Sequence, residues 1–145
     1  MFTTCLEKQN LIAKIFAACP TEDAKYQKII DFGKQLPSFD VNYKTEDCIV
    51  KGCQSTMYLQ SLYCEGRVRF NAASDALISA GLAAILIAIY NDESPETILK
   101  CPPSVLETLG ISASLSPSRA NGLYSIHLKM KQDALRLLLK HGNSK

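Results

Sequence analysis

Apolar side chains recur at helical spacing in two stretches near the start of the chain. Leu11, Ile12, Ile15, Phe16 and Cys19 form one stripe, which Pro20 closes. Tyr26, Ile29, Ile30 and Gly33 form a second, behind Thr21 as an N-cap with Glu22 and Asp23 in the first turn, and Leu36-Pro37 ends it. Residues 37 to 46 are polar and irregular. From Cys48 the period falls to two. A short strand reaches Lys51, Gly52-Cys53 makes a turn, and a second strand runs from Thr56 to Cys64. After a tight turn at Glu65-Gly66, Arg67, Arg69 and Asn71 alternate with Val68 and Phe70, giving a third strand with one wet face and one buried. This pattern predicts an antiparallel meander of three strands.

The stretch from Ala76 to Tyr90 carries no charge and is bounded by Asp75 and Asp92. A membrane span needs about twenty apolar residues, so this shorter run predicts a buried core helix capped by Ser74. Ile78, Leu82, Ile85 and Ile89 share one face, while Gly81, Ala84 and Ala88 permit close approach on another. Ser94-Pro95 opens a short helix, Pro102-Pro103 another that ends near Gly110, and Ser116-Pro117 a long one. The stripe of that last helix, Leu123, Ile126, Met130, Ala134, Leu137 and Leu138, extends to about His141, with Gly142 as its stop. The sum is one α+β domain over residues 1–145, with helices flanking a small antiparallel sheet.

Composition narrows the function classes. With 145 residues, 47% of them hydrophobic, the chain builds an ordinary core. Its sixteen basic and fourteen acidic side chains are interspersed for a net charge of +2, which lacks the basic footprint of nucleic-acid binding. There is no membrane-spanning run. Six cysteines without a recognisable secretory signal point to free thiols in a reducing cytoplasm.

Cys48, Cys53, Cys64, Cys101, His127 and His141 are the candidate metal ligands, but no Cys-x-x-Cys pair occurs and no metal site is expected. Both histidines belong to the last helix, where solvated or satisfied imidazoles are the plainer reading. A thiol hydrolase would need one of them beside its cysteine. A glycine-rich phosphate loop is absent, and Glu46-Asp47 and Asp92-Glu93 look like solvated turn residues. What remains is Cys53, a thiol at a glycine turn with Lys51 beside it and Arg119 available through folding. It serves either as a carrier or nucleophile, or as a small buried hydrophobe; composition alone leaves these open.

Four segments then carry a resemblance: Gly33-Lys34-Gln35-Leu36-Pro37, Val50-Lys51-Gly52-Cys53-Gln54-Ser55, Ser74-Asp75-Ala76 with Gly81-Leu82, and Leu115-Ser116-Pro117-Ser118-Arg119-Ala120-Asn121-Gly122-Leu123. In order and spacing, from about Tyr26 to about Met130, they resemble the SufE family of cysteine desulfuration proteins. The resemblance implies a fold similar to the IscU-type scaffolds without their three-cysteine cluster site. It implies a sulfur acceptor for iron–sulfur cluster assembly, inert alone. Cys53 matches the acceptor thiol and Arg119 a supporting position. Lys51, Gly52, Gln54, Ser55 and Asp75 make a partner-docking loop. The implied partners are a SufS-like cysteine desulfurase, which holds the pyridoxal phosphate so that this chain needs no cofactor, and a SufBCD-like scaffold complex. Lys44 and Asp47 stand where the family usually has arginine and asparagine, and Tyr58 where it has tryptophan. Lysine lacks the planar guanidinium fork, which puts partner affinity in doubt more than chemistry. Cys48 or Cys64 near Cys53 would be able to resolve its persulfide into a disulfide. The rival reading is a thiol enzyme, redox or hydrolytic, using Cys53.

Overall fold

The structure, a computed structural model, describes residues 2–53, 55–111 and 115–141. Helices α1 (Thr3–Ala17) and α2 (Glu22–Lys34) come first, then strands β1 (Met57–Cys64) and β2 (Arg67–Ser74). Helices α3 (Leu77–Tyr90), α4 (Pro95–Lys100), α5 (Ser104–Thr108) and α6 (Pro117–His141) follow. The Thr21 hydroxyl caps α2 by accepting from the Ala24 N–H, and Ser94 caps α4 by accepting from Thr97, each as its position predicts. Ser74 acts one step earlier than expected. Its Oγ accepts from the Ala76 N–H, closing a turn just ahead of α3 rather than capping the helix itself. The Gly142 stop lies outside the described residues.

The sheet has two strands where three were expected. β1 and β2 pair antiparallel from Met57↔Ser74 to Cys64↔Arg67, around a turn with both Glu65 and Gly66 at positive φ. The predicted first strand shrinks to one bridge, Ile49↔Tyr58, because a 3₁₀ turn at Glu46–Cys48 occupies its start and Gly52 at φ +95° breaks its end. The Val50 N–H still donates to the Met57 carbonyl at 2.9 Å. Lys51, Gly52 and Cys53 on one side and Ser55 and Thr56 on the other are thereby held at the tip of a hairpin.

Alternation along the strands puts Met57, Leu59, Val68, Phe70 and Ala72 into the core and Arg67 and Arg69 into water. Against this face lies α3, buried along nearly its whole length and also touched by α1, α2 and α6. α2 crosses it with backbone nearly on backbone. A Cβ on Gly81 would stand 2.0 Å from the Ile29 carbonyl oxygen, and one on Gly33 2.7 Å from the Gly81 nitrogen. α1 is fixed to the turn after α3 by the buried Glu93 carboxylate, which accepts from Lys8 Nζ and from the Thr4 hydroxyl at 2.9 Å.

Gly81→Ala should therefore cost about 3 kcal/mol or more, since the clash is with backbone that cannot turn aside. Gly66→Ala, at φ +82° with open space around it, should cost about 1 kcal/mol of left-handed strain alone. Urea midpoints of the two variants against the parent check the order.

Candidate functional site

The Cys53 loop is seated on the first turns of α6. Gly52 packs so closely that a Cβ there would approach Ser125 Oγ to 2.4 Å, and its positive φ would strain any other residue. Cys53 is half-buried, packed against the edge of the core. Its thiol donates weakly to the Gly122 carbonyl at 3.8 Å, and a methyl group on Gly122 would touch Sγ at 3.7 Å. Gly122 thus leaves the room beside the sulfur.

Arg119, one turn earlier on α6, reaches across to both neighbouring segments. Its Nη1 donates to Ser79 Oγ on α3 at 2.8 Å and to Ser55 Oγ in the loop at 3.3 Å. Burial pushes the Cys53 thiol above its ordinary pKa, and the positive charge of Arg119 pulls against that rise. Near neutral pH the resting group is the thiol, and the guanidinium stands ready to favour the thiolate.

Of the residues singled out from sequence, Lys51, Gly52, Cys53, Ser55 and Arg119 come together here. Asp75 joins them through its N–H, which donates to the Thr56 carbonyl at 3.4 Å, and its side chain is exposed. Gln54 lies outside the described residues. Ser79, Gly122 and Ser125 were not picked out as site residues. Ser79 did leave a signal, being with Tyr90 one of two hydroxyl side chains in a charge-free helix, where a buried hydroxyl requires a partner.

The other thiols lie elsewhere. Cys64 ends β1, about 23 Å of strand beyond Met57, too far to resolve anything formed on Cys53. Cys48 lines a separate cavity with Leu59, Ser61 and Asp133. Cys5 and Cys101 are buried together beside the Gln9 amide, which stands 3.8 Å from each sulfur, and burial pushes Cys5 up to about 12. Both imidazoles stack on tyrosines: His141 on Tyr63 at 4.1 Å and His127 on Tyr90 at 5.5 Å between ring centres. No group of three or more His, Cys, Asp or Glu side chains is gathered for a metal ion among the described residues, and no described helix is long and apolar enough to cross a membrane.

The chain was compared with known proteins. The family model for SufE, the Fe-S metabolism associated domain, matches residues 10–134. The SufE-like protein 1, chloroplastic/mitochondrial, of Arabidopsis thaliana is 35% identical over 134 residues, which is 92% of this chain and 36% of the plant protein; the chain spans about a third of that relative. The uncharacterized SufE-like protein slr1419 of Synechocystis is 34% identical over 115 residues, covering 79% of this chain and 72% of the relative. In fold, the chain is similar to the solution structure of a hypothetical protein from Thermus thermophilus, with a TM-score of 0.76 at 22% identity over 91% of this chain and 96% of that one.

Removing the charge at Arg119 should raise the Cys53 pKa further, so Arg119→Gln should move the midpoint of the pH–rate profile for iodoacetamide alkylation of Cys53 upward, while Arg119→Lys stays nearer the parent. His127 offers a separate test. Burial, helped by Lys131, lowers its pKa from 6.5 to about 4, and its Nε2 has no hydrogen-bond partner. The unfolded chain takes up this proton first, so stability present above pH 6.5 is lost as pH falls from 6.5 toward 4. The loss should be on the order of 3 kcal/mol. His127→Phe should flatten that part of the curve of urea midpoint against pH.

Proposed function

This chain belongs to the SufE family of Fe-S metabolism associated domains, and from that premise we propose that it is a sulfur carrier whose acceptor is Cys53. A SufS-like cysteine desulfurase presents a persulfide, Cys-S-SH, at the hairpin tip. The Cys53 thiolate attacks the outer sulfur. A new S–S bond forms on Cys53 as the donor's S–S bond breaks, and its electron pair leaves with the donor cysteine as thiolate. The proton stays on the transferred sulfur, so no outside oxidant or reductant enters. A SufBCD-like scaffold then takes the sulfur by the same exchange. The pyridoxal phosphate belongs to the desulfurase, and this chain stimulates that enzyme rather than turning over alone.

The observation that carries this reading is the seat of Cys53: half-buried, opposite a glycine that leaves room beside Sγ, and within the field of Arg119. A persulfide is readily reduced or oxidised further, so a carrier has to shelter it between partners. The Gly122 side of the tip offers that shelter, and Gly52 supplies the hinge by which the tip swings outward on docking. The exposed Lys51 and Asp75 border it as docking contacts.

Intact-protein mass after incubation with a SufS-type desulfurase and L-cysteine, without reductant, should rise by one sulfur in the parent chain and revert on reduction. Cys53→Ser should gain none. Equal gain in both, or gain in neither, removes Cys53 as the acceptor and with it the carrier.

A further inference from the structure

The outer side of α6 bears a second apolar stripe, turned away from the core. Tyr124, Leu128, Leu135 and Leu139 are 67%, 37%, 46% and 67% exposed. At about 100° per residue they fall within a sector of roughly 60°, opposite the buried face of Leu123, Ile126, Met130, Ala134 and Leu137. Single exposed apolar residues are ordinary, but four along one line of a helix mark a binding surface.

The spacing says what shape fits it. Tyr124, Leu128, Lys131, Leu135 and Leu138 follow one another in steps of four and three, the seam by which a helix takes another helix, and Leu139 widens its far end. Charge says whose helix it is. The charges that reach water along this part of α6 are the positive ones of Lys131, Arg136 and Lys140, because its one acid, Asp133, is buried and held by Ser61 at 2.7 Å and Lys129 at 3.2 Å, with Arg136 itself 3.9 Å from that carboxylate. Lys131 stands at the middle of the stripe. Two copies paired antiparallel about that midpoint, or parallel in register, would bring Lys131 against its own counterpart, a like-charge contact at the seam. Beside Leu128 and Gln132 the flank carries both signs, Glu46 and Asp47 with Lys51 and Lys129, so the charge that selects an occupant is Lys131 within the stripe. We propose that the outer face of α6 docks an amphipathic helix of a different protein, with leucine-type residues on the stripe and an acidic side chain facing Lys131. This docking is independent of the sulfur chemistry at Cys53.

The probes are two labelled synthetic peptides of about three heptads with leucine at the a and d positions, one carrying glutamate at e and g and the other lysine, and vesicles of phosphatidylglycerol. Anisotropy with the full chain should show binding of the glutamate peptide at least about tenfold tighter than the lysine peptide. Lys131→Glu should reverse that preference, and Leu135→Gln should weaken the glutamate peptide about tenfold. Both variants should keep the parent's urea midpoint and Cys53 alkylation rate, which separates lost docking from lost folding. The proposal is overturned by equal or absent binding of the two peptides, by a preference that Lys131→Glu leaves unchanged, or by binding of vesicles in place of peptide. A dimer in sedimentation that Leu135→Gln dissolves would overturn it too, since the occupant would then be a second copy.

Discussion

A helix of 14 residues without a charged side chain needs cover on every side beyond its exposed first residue, and that requirement on α3 arranges the rest of the molecule. The hairpin covers one side and α2 another, while α1 and α6 complete the jacket. The α2 crossing is the tightest, because Gly33 and Gly81 remove the side chains that would hold the two backbones apart. Once α3 is so enclosed, its first turn fixes Ser79 in space, and Ser79 fixes Arg119. The position of the guanidinium beside the Cys53 loop is thus inherited from a packing problem solved in the core.

Much of this was legible in the sequence. Local signals with a single solution were reliable: the Thr21 and Ser94 caps, the prolines opening α4 and α6, the alternation of Arg67 to Asn71, and the charge-free α3 all appear where the pattern put them. The failure at Cys48 to Lys51 has a physical cause. Ile49 and Val50 have strand character, but the three residues between a 3₁₀ turn and a positive-φ glycine hold only one bridge. Period two cannot reveal how long a ladder its flanks allow.

The site was legible in part for the same reason. Cys53 and Arg119 are far apart along the chain, and no local pattern joins them; the family motifs named both, and the fold supplies the link through α3. Gly122 and Ser125 were hidden because their role depends on distance. A glycine inside a helix ordinarily reads as a weak spot worth about 1 kcal/mol, and only the nearby sulfur shows what the missing side chain makes room for. Ser125 reads as an ordinary helical serine until Gly52 is seen lying on it.

Under the carrier reading, six cysteines in one chain of this size would be a hazard, and their environments sort them. Cys5 and Cys101 are shut in the core, where burial holds Cys5 in its thiol form far above neutral pH. Cys48 stands behind the hairpin stem, and Cys64 is exposed at the opposite end of β1, a full strand's length from the tip. Cys53 is itself raised by burial, so it is not distinguished by a low resting pKa. Position separates it from the others: a turn that presents it, a glycine that makes room for it, and an arginine whose charge opposes the cost of ionising it there. Under the carrier reading, a partner that drew the tip outward would lower the desolvation cost while leaving the arginine close by. The thiolate would then form where a persulfide is being offered, and the same burial that makes the resting thiol unreactive would protect the sulfur once it has been received.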